Sequence, residues 1–240
     1  LIELGASPMS AIKNVVLVHG FWIDASSYSQ VVSMLLAEGY EVIAVQNPLT
    51  SLADDVAATK RALARLDGPC ILVGHSWGGM VITEAGNDDQ VAGLVYIAAP
   101  APGAGESMVD VMSQYEPPSP QYVQEQEGFI WLSKEGVQAM FAHDLPAEQT
   151  DVIYATQVAP SASLVMAKVS AVAWRNKPSW YIVANNDKAV SPHLQRDMAE
   201  RIGARTTAVA SSHVTMISHA QEIVDVIKEA ATNSSSSFVS

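Results

Sequence analysis

The segment with the clearest chemical signature reads Gly74-His75-Ser76-Trp77-Gly78-Gly79 and contains a Gly-x-Ser-x-Gly pattern. It directly follows a predicted strand and precedes a predicted helix. A serine at such a sharp turn projects outwards from a strained backbone, and the flanking glycines are needed because a Cβ would clash across the turn. The first N–H groups of the following helix favour developing negative charge. The pattern predicts that Ser76 is a nucleophile.

A serine hydroxyl is a weak nucleophile at neutral pH, so it needs a general base. In the architecture typical of this motif, the chain order is serine, acid, histidine. Among the six histidines, His213 follows the last predicted strand, in a loop that faces Ser76. We therefore expect His213 to be the base. The remaining histidines are disfavoured by chain order or by position: His19, His75, His143, His193 and His219.

The orienting acid should come from the loop after the fifth predicted strand, where Asp187 is the only carboxylate. A buried Asp187 would fix the tautomer of the base and stabilise its imidazolium. Glu106 and Asp110, beyond the fourth strand, are the alternative acids. The loop after the first strand places Phe21 beside Gly20, and we expect the backbone N–H groups of Phe21 and Trp77 to form an oxyanion hole.

Short β-branched runs alternate with longer amphipathic stretches, a rhythm that predicts βαβ units. We expect a mainly parallel, doubly wound sheet of about six strands with helices on both faces, in the α/β class. The predicted strands are Val15–Val18, Glu41–Val45, Cys70–Val73, Val91–Ala99, Trp180–Ala184 and Thr206–Val209. The predicted helices are Ala25–Gly39, Ser51–Leu66, Gly78–Gly86, Pro192–Ile202 and Ala220–Ala231.

The alternation breaks over residues 101–175, which are rich in proline and contain no strong β run. We expect this segment to be an inserted helical cap over one edge of the sheet, with residues 1–100 and 176–240 forming one discontinuous core. Aromatic residues in and near the cap suit an apolar pocket. The pocket candidates are Trp22, Met140, Phe141 and Trp174. The low-complexity residues 233–237 and the first residues of the chain are expected to be disordered.

The composition of the chain and the motifs it lacks exclude several classes of partner and site. With 25 acidic and 13 basic side chains the formal net charge is −12, which disfavours nucleic acid and anionic membranes as partners. A single cysteine, Cys70, excludes an internal disulfide and a cysteine-rich zinc site. No apolar run is long enough to span a membrane. We find no dinucleotide, P-loop or zinc-protease motif, and therefore predict neither cofactor nor metal.

These segments together resemble the α/β-hydrolase superfamily from about Ile12 to Ala231. They are most similar to the small-esterase branch of plant methylesterases, hydroxynitrile lyases and bacterial carboxylesterases. The resemblance rests on Val18-His19-Gly20-Phe21-Trp22, the Ser76 motif, Asn186-Asp187 and Ser212-His213. It implies Ser76 as nucleophile, His213 as base and Asp187 as acid. Lyases of this branch resemble one another in having Thr at the Gly20 position and Lys after the catalytic His, where this chain has Val214.

The sequence thus predicts a serine carboxylesterase that hydrolyses small, neutral, largely apolar esters through an acyl-enzyme. Three alternatives stay open on the same fold: lyase-like chemistry, cofactor-free oxygenation, and a slow, receptor-like hydrolase that mainly binds its ligand. The expected partner is a small-molecule ester. A cytoplasmic location is favoured, with a secreted or periplasmic one if an upstream signal was removed.

Overall fold

The structure, a computed structural model, describes residues 12–116 and 118–235. The strands are β1 (Asn14–Val18), β2 (Glu41–Val45), β3 (Cys70–His75), β4 (Val91–Ile97), β5 (Val123–Gln126), β6 (Phe129–Leu132), β7 (Ser179–Ala184) and β8 (Arg205–Val209). The α-helices are α1 (Ser29–Ala37), α2 (Leu52–Leu63), α3 (Gly78–Ala85), α4 (Met108–Met112), α5 (Lys134–Gly136), α6 (Ala147–Thr156), α7 (Pro192–Arg201), α8 (Thr215–Ser218) and α9 (Ala220–Ser234). Short 3-10 segments cover Ala25–Tyr28, Pro120–Tyr122, Ala162–Met166 and Ala173–Arg175, and a π-helix covers Val137–Phe141.

Six strands form one sheet in the order β2-β1-β3-β4-β7-β8, and every neighbouring pair is parallel. The strand order reverses at β1, which lies between β2 and β3. In open α/β sheets, ligands bind beyond the carboxyl ends of the strands at such a switch point. The predicted α/β class and the mainly parallel six-stranded sheet are confirmed, and the loops after β1 and β3 carry the predicted site residues.

Alternating side chains along the buried strands pack against different helices, as the period of a strand requires. On β3, Leu72 belongs to the apolar cluster that contains α2, α3 and α7, whereas Ile71 and Val73 belong to the cluster of α1 and α9. The central strands of a parallel sheet are covered by helices on both faces. Their sequences are therefore continuous runs of apolar residues. Cys70 is fully buried in β3, and burial raises the pKa of its thiol to about 12.

The segment between β4 and β7 is made of short helices and a separate antiparallel hairpin, β5–β6, that does not extend the main sheet. The sequence analysis expected helices only. The hairpin was missed because its strands have only four residues each, and the first, Val123–Gln126, is mostly polar and exposed. Side chains of this segment enter both apolar clusters, including Leu164 in one and Phe141 in the other. The domain limits at 101 and 175 stay a prediction.

The expected disorder of residues 233–237 is wrong for the residues that the structure describes. Helix α9 continues through Asn233 and Ser234, and the Ser234 side chain is fully buried. Composition alone suggested a disordered tail, but the amphipathic face of α9 carries these residues onto the core. The prediction for residues 1–8 and 236–240 lies outside the described residues.

Candidate active site

Ser76 occupies a sharp turn between β3 and α3, at the carboxyl edge of the sheet. Its φ is 52°, in the left-handed region that non-glycine residues rarely adopt. The flanking glycines are required by packing, since a Cβ on Gly74 would lie 2.5 Å from Gly78 O and one on Gly78 would lie 2.4 Å from Val18 O. The turn therefore forces the serine into a strained conformation of the kind found at functional sites.

The backbone N–H groups of Phe21 and Trp77 both stand beside this turn. Among the residues that the structure describes, neither N–H donates a hydrogen bond to a protein acceptor. The two side chains stack, with ring centroids 5.1 Å apart and an interplanar angle of 20°. Stacking fixes the two backbone segments relative to each other, which suits a pair of donors aimed at one oxygen atom.

His213 and Asp187 form a buried pair. His213 Nδ1 lies 2.6 Å from Asp187 Oδ2, and the two residues are 1% and 5% exposed. The other carboxylate oxygen, Oδ1, accepts hydrogen bonds from the backbone N–H groups of Ala189 and Val190 at 2.8 and 2.9 Å. An acid held in this way makes Nδ1 the donor and leaves Nε2 of His213 as the basic nitrogen.

Gln195 on α7 completes the surroundings of the acid, and the sequence analysis missed it. Its Nε2 donates to Asp187 Oδ2 at 2.8 Å and to Val190 O at 2.8 Å, while its Oε1 accepts from Ala184 N at 2.8 Å. The Gln195 side chain is fully buried. Together the three contacts join the end of β7 to the acid loop, so Gln195 helps to hold Asp187 in its orientation.

His75 connects the serine turn to the base loop. Its Nε2–H donates to His213 O at 2.8 Å, and the two rings lie 4.7 Å apart. Complete burial, with repulsion from His213, holds the pKa of His75 well below its ordinary value, so the ring is neutral. No hydrogen bond joins Ser76 Oγ to His213 within the described part of the chain. Such catalytic hydrogen bonds are often long before substrate binds.

His19 orders the loop that carries Phe21. Its Nε2 accepts from the backbone N–H of Asn47 at 3.0 Å, so Nδ1 carries the proton and donates to Gly20 O at 2.8 Å. Asn47 Nδ2 in turn donates to His19 O at 2.9 Å. Burial lowers the pKa of His19, so the ring is neutral at pH 7, and its two hydrogen bonds hold the loop in place.

The carboxylate of Asp55, on α2, contacts the indole ring of Trp77, whose backbone N–H is a candidate oxyanion-hole donor. Its Oδ2 accepts the indole Nε1–H of Trp77 at 2.8 Å, and its Oδ1 accepts the backbone N–H of Leu49 at 2.8 Å. The carboxylate is fully buried. Burial raises the pKa of Asp55 to about 6, although both hydrogen bonds oppose that rise.

An apolar cleft of about 380 Å³ opens beside Phe21 and Trp22. Among the residues that the structure describes, no charged side chain lines it. Much of its wall comes from the segment between β4 and β7: Met108, Met112, Tyr115, Val123, Ile130 and Val165. Trp22 is tied to that segment, because its backbone N–H donates to Val158 O at 3.2 Å and its indole Nε1–H donates to Ile130 O at 3.0 Å.

The four predicted pocket residues lie in different places. Trp22 lines the apolar cleft. Phe141 is buried between Trp22 and His213, with ring centroids 5.7 and 5.2 Å away. Met140 is buried in the core cluster of α1 and α9. Trp174 is not among the residues that line the cleft, and its indole Nε1–H donates to Pro102 O at 2.9 Å.

The two alternative acids have other partners. Glu106 accepts both guanidinium nitrogens of Arg201, at 2.6 and 2.8 Å. The Asp110 carboxylate closes a capping box with Ser107 at the start of α4. Neither contacts His213, which leaves Asp187 as the carboxylate paired with the base.

Within residues 12–116 and 118–235, no group of three or more His, Cys, Asp or Glu side chains is arranged to hold a metal ion. In the same part of the chain, no helix combines the length and the apolar character needed to cross a bilayer.

Comparison with known proteins agrees with this geometry. The sequence profile described as "Alpha/beta hydrolase family" matches residues 15–226. The alpha/beta hydrolase nvfD of Aspergillus novofumigatus is 26% identical over 242 residues, covering 90% of this chain and 96% of that protein.

Two solved structures share the fold at low sequence identity. A pyrethroid hydrolase from Sphingobium faniae JZ-2 superposes with a TM-score of 0.79 at 21% identity, over 91% of this chain and 97% of the other. Polyneuridine aldehyde esterase superposes with a TM-score of 0.78 at 19% identity, over 90% and 98%. The expected resemblance is confirmed, and the chain belongs to the alpha/beta hydrolase family.

Proposed function

We propose that this protein is a serine carboxylesterase whose nucleophile, base and acid are Ser76, His213 and Asp187. The observation that carries the proposal is the buried 2.6 Å contact between His213 Nδ1 and Asp187 Oδ2. That contact leaves Nε2 of His213 free to take a proton. His75, the neighbour of Ser76, donates to His213 O at 2.8 Å, and Ser76 is held at a φ of 52°. The carboxylate of Asp187 also accepts two backbone N–H groups, which hold it in place beside the imidazole.

In the proposed reaction, Ser76 Oγ attacks the ester carbonyl carbon while His213 Nε2 takes the hydroxyl proton. The carbonyl oxygen becomes an oxyanion, which accepts hydrogen bonds from the N–H groups of Phe21 and Trp77. As the tetrahedral intermediate collapses, the C–O bond to the alcohol breaks and His213 returns the proton to the leaving alkoxide. Water then attacks the acyl-enzyme with the same proton transfers, releasing the acid and restoring Ser76.

The apolar cleft supports neutral, largely apolar esters as the substrate class. Its volume of about 380 Å³ suits a medium-length alkyl or a ring-containing group, and its described lining residues carry no charge. Burying an unpaired charge against methionine and aromatic side chains is unfavourable. An ester with a free carboxylate or ammonium should therefore bind poorly.

Two features weigh against lyase-like chemistry. A Cβ on Gly20 would lie 2.6 Å from Ser76 Cβ, so the Thr of the resembling lyases does not fit this loop without a shift. Val214, which stands where those lyases have Lys, is fully buried among apolar side chains. Because residue 214 is a valine, this position supplies no positive charge to stabilise a departing cyanide.

The test is a set of initial rates on p-nitrophenyl acetate, butyrate and octanoate, with mandelonitrile as a lyase substrate. Wild type and Ser76→Ala are compared, and Ser26→Ala, at an exposed position of the 3-10 segment Ala25–Tyr28, is the matched serine control. We expect turnover of the esters by wild type and Ser26→Ala, and a loss of several orders of magnitude in Ser76→Ala. Cyanide release from mandelonitrile, or ester turnover that survives in Ser76→Ala, would overturn the proposal. A stoichiometric burst without turnover would favour the receptor-like alternative.

A further inference from the structure

Two consecutive residues of the segment between β4 and β7 are hydrogen-bonded to the two loops that carry the acid and the base. His143 Nε2–H donates to Asn186 O at 2.8 Å, and Asn186 immediately precedes Asp187. Asp144 Oδ2 accepts the backbone N–H of Ser212 at 2.9 Å, and Ser212 immediately precedes His213. His143 and Asp144, which are neighbours in one turn, thus bind the backbone next to Asp187 and next to His213.

The local structure explains why these two side chains face the loops. The π-helix Val137–Phe141 is capped by Ala142. A turn follows, in which Leu145 N donates to Ala142 O at 3.0 Å. Wide helical turns of this kind occur frequently at functional sites. Here the π-helix places Phe141 against the His213 ring at 5.2 Å, and the turn then presents His143 and Asp144 to the two loops.

The contact made by Asp144 is charge-assisted, and its donor is buried. Ser212 is fully buried in the intact protein, and its N–H donates to the carboxylate of the exposed residue Asp144. Burial opposes ionisation of Asp144, but hydrogen bonds from Ser212 and Ser218 outweigh it and lower the pKa of the carboxyl. Asp144 is therefore an anion at neutral pH, and hydrogen bonds to an anion are roughly twice as strong as neutral ones.

We propose that His143 and Asp144 are positioning residues that set the geometry of the Asp187–His213 pair from the inserted segment. Neither contacts the reacting atoms. Both act through the backbone of a neighbouring residue, so their loss should move the pair and slow the chemical step while leaving substrate binding in the cleft intact. The proposal deepens the proposed esterase function and rests on it, since it concerns the same pair.

The kinetic test uses p-nitrophenyl acetate, an ester small enough to make little use of the apolar cleft. For Asp144→Ala and His143→Ala we expect kcat to fall between tenfold and a hundredfold with KM nearly unchanged, because small misplacements of catalytic groups have effects of that size. Asp144→Asn keeps an acceptor oxygen and His143→Gln keeps an N–H donor, so both should recover most of the rate. Asp151→Ala is the matched control, since Asp151 pairs with Lys134 at 2.9 Å in the same segment, away from both loops.

A second readout does not depend on ester turnover. In Asp144→Ala we expect faster hydrogen exchange at the Ser212 N–H and a shift of the downfield proton resonance of the bond between His213 Nδ1 and Asp187 Oδ2. If wild type hydrolyses no ester but these signals move, the proposed function fails and the positioning role stands. If Asp144→Ala keeps both the wild-type kcat and the wild-type Ser212 exchange, the positioning role is overturned.

Discussion

Asp55 accepts the indole N–H of Trp77 at 2.8 Å, entirely inside the protein, and so braces the residue that follows the candidate nucleophile. The same carboxylate accepts the Leu49 N–H, where the backbone φ is 56°. One buried acid therefore supports both the α3 turn and the loop after β2. Its ionisation is disfavoured by burial, and that gives the site a measurable dependence on pH.

The pKa of Asp55 is about 6 in the folded protein, against an ordinary value of 3.8. The folded state therefore binds more protons than the unfolded state between these values, and stability falls as pH rises through that window. We expect the stability of wild type relative to Asp55→Asn to be greatest near pH 4 and to fall by up to about 3 kcal/mol before levelling off above pH 6. Denaturant unfolding of both proteins from pH 4 to 7.5 measures this difference. A difference that stays constant, or that grows with pH, contradicts the prediction.

Replacing Ser76 separates catalysis from backbone strain. Ser76→Ala and Ser76→Gly should both lose turnover by several orders of magnitude, since neither has an Oγ. Only glycine relieves the strain at a φ of 52°, so Ser76→Gly should be more stable than Ser76→Ala by about 1 kcal/mol. Thermal unfolding of the two variants tests this. Equal stabilities would show that the turn is unstrained, and loss of folding in either would count against a purely catalytic role.

Asp187→Asn should change the tautomer of His213. An amide oxygen turned towards Ala189 and Val190 leaves the NH₂ group facing His213 Nδ1 and Gln195 Nε2, two former donors. The imidazole must then carry its proton on Nε2, where the base needs a lone pair, and we expect kcat to drop by roughly 10³ to 10⁴. Steady-state rates with ¹⁵N NMR of the imidazole test both parts. Activity close to wild type would move the acid role to Glu106 or Asp110.

Gln195→Met should affect catalysis through Asp187, because Gln195 bonds that carboxylate and no bond to His213 is lost. The variant removes the donor to Asp187 Oδ2 and leaves the buried Ala184 N–H without its acceptor. We expect a loss of about 1–3 kcal/mol in stability and a smaller loss of kcat than for Asp187→Asn. Urea unfolding measures the loss of stability, and ester kinetics measure the loss of kcat. A variant that loses stability but keeps kcat would make Gln195 a purely structural residue.

Gly20→Ala tests how closely the first loop approaches the nucleophile. The new methyl carbon would lie 2.6 Å from Ser76 Cβ and 3.0 Å from His75 O, so the loop or the serine must move. We expect kcat/KM to fall by about a hundredfold, because the Phe21 N–H moves with the loop. Gly103→Ala is the control, since its new Cβ would come no closer than 3.4 Å to Glu106. Wild-type kinetics in Gly20→Ala would show that the loop is not confined.

The strands and the pair of loops could be predicted because their signals are local. The apolar runs of β1 and β3 end in glycine-bounded motifs, and chain order together with position after a predicted strand singled out His213 and Asp187. Gln195 could not be found in this way, since a glutamine on an amphipathic helix normally faces solvent. Its burial follows only from the packing of α7 on the end of β7.

Asp55 did carry a signal. It lies three residues after Leu52 and just before Val56, on the apolar side of α2, where a carboxylate is unusual. The bonds from His143 and Asp144 had no signal at all. They join residues separated by 43 and 68 positions, and they depend on a turn whose shape the sequence pattern does not reveal.

Three separate loops of the proposed site are hydrogen-bonded to the segment between β4 and β7, through Trp22, Asn186 and Ser212. The segment that shapes the cleft is therefore not an exchangeable module. Grafting the corresponding segment of a relative to change substrate preference would also break these bonds, and rate would fall even where the new cleft fits. We therefore expect substrate preference to change more easily through single replacements in the cleft wall than through exchange of the whole segment.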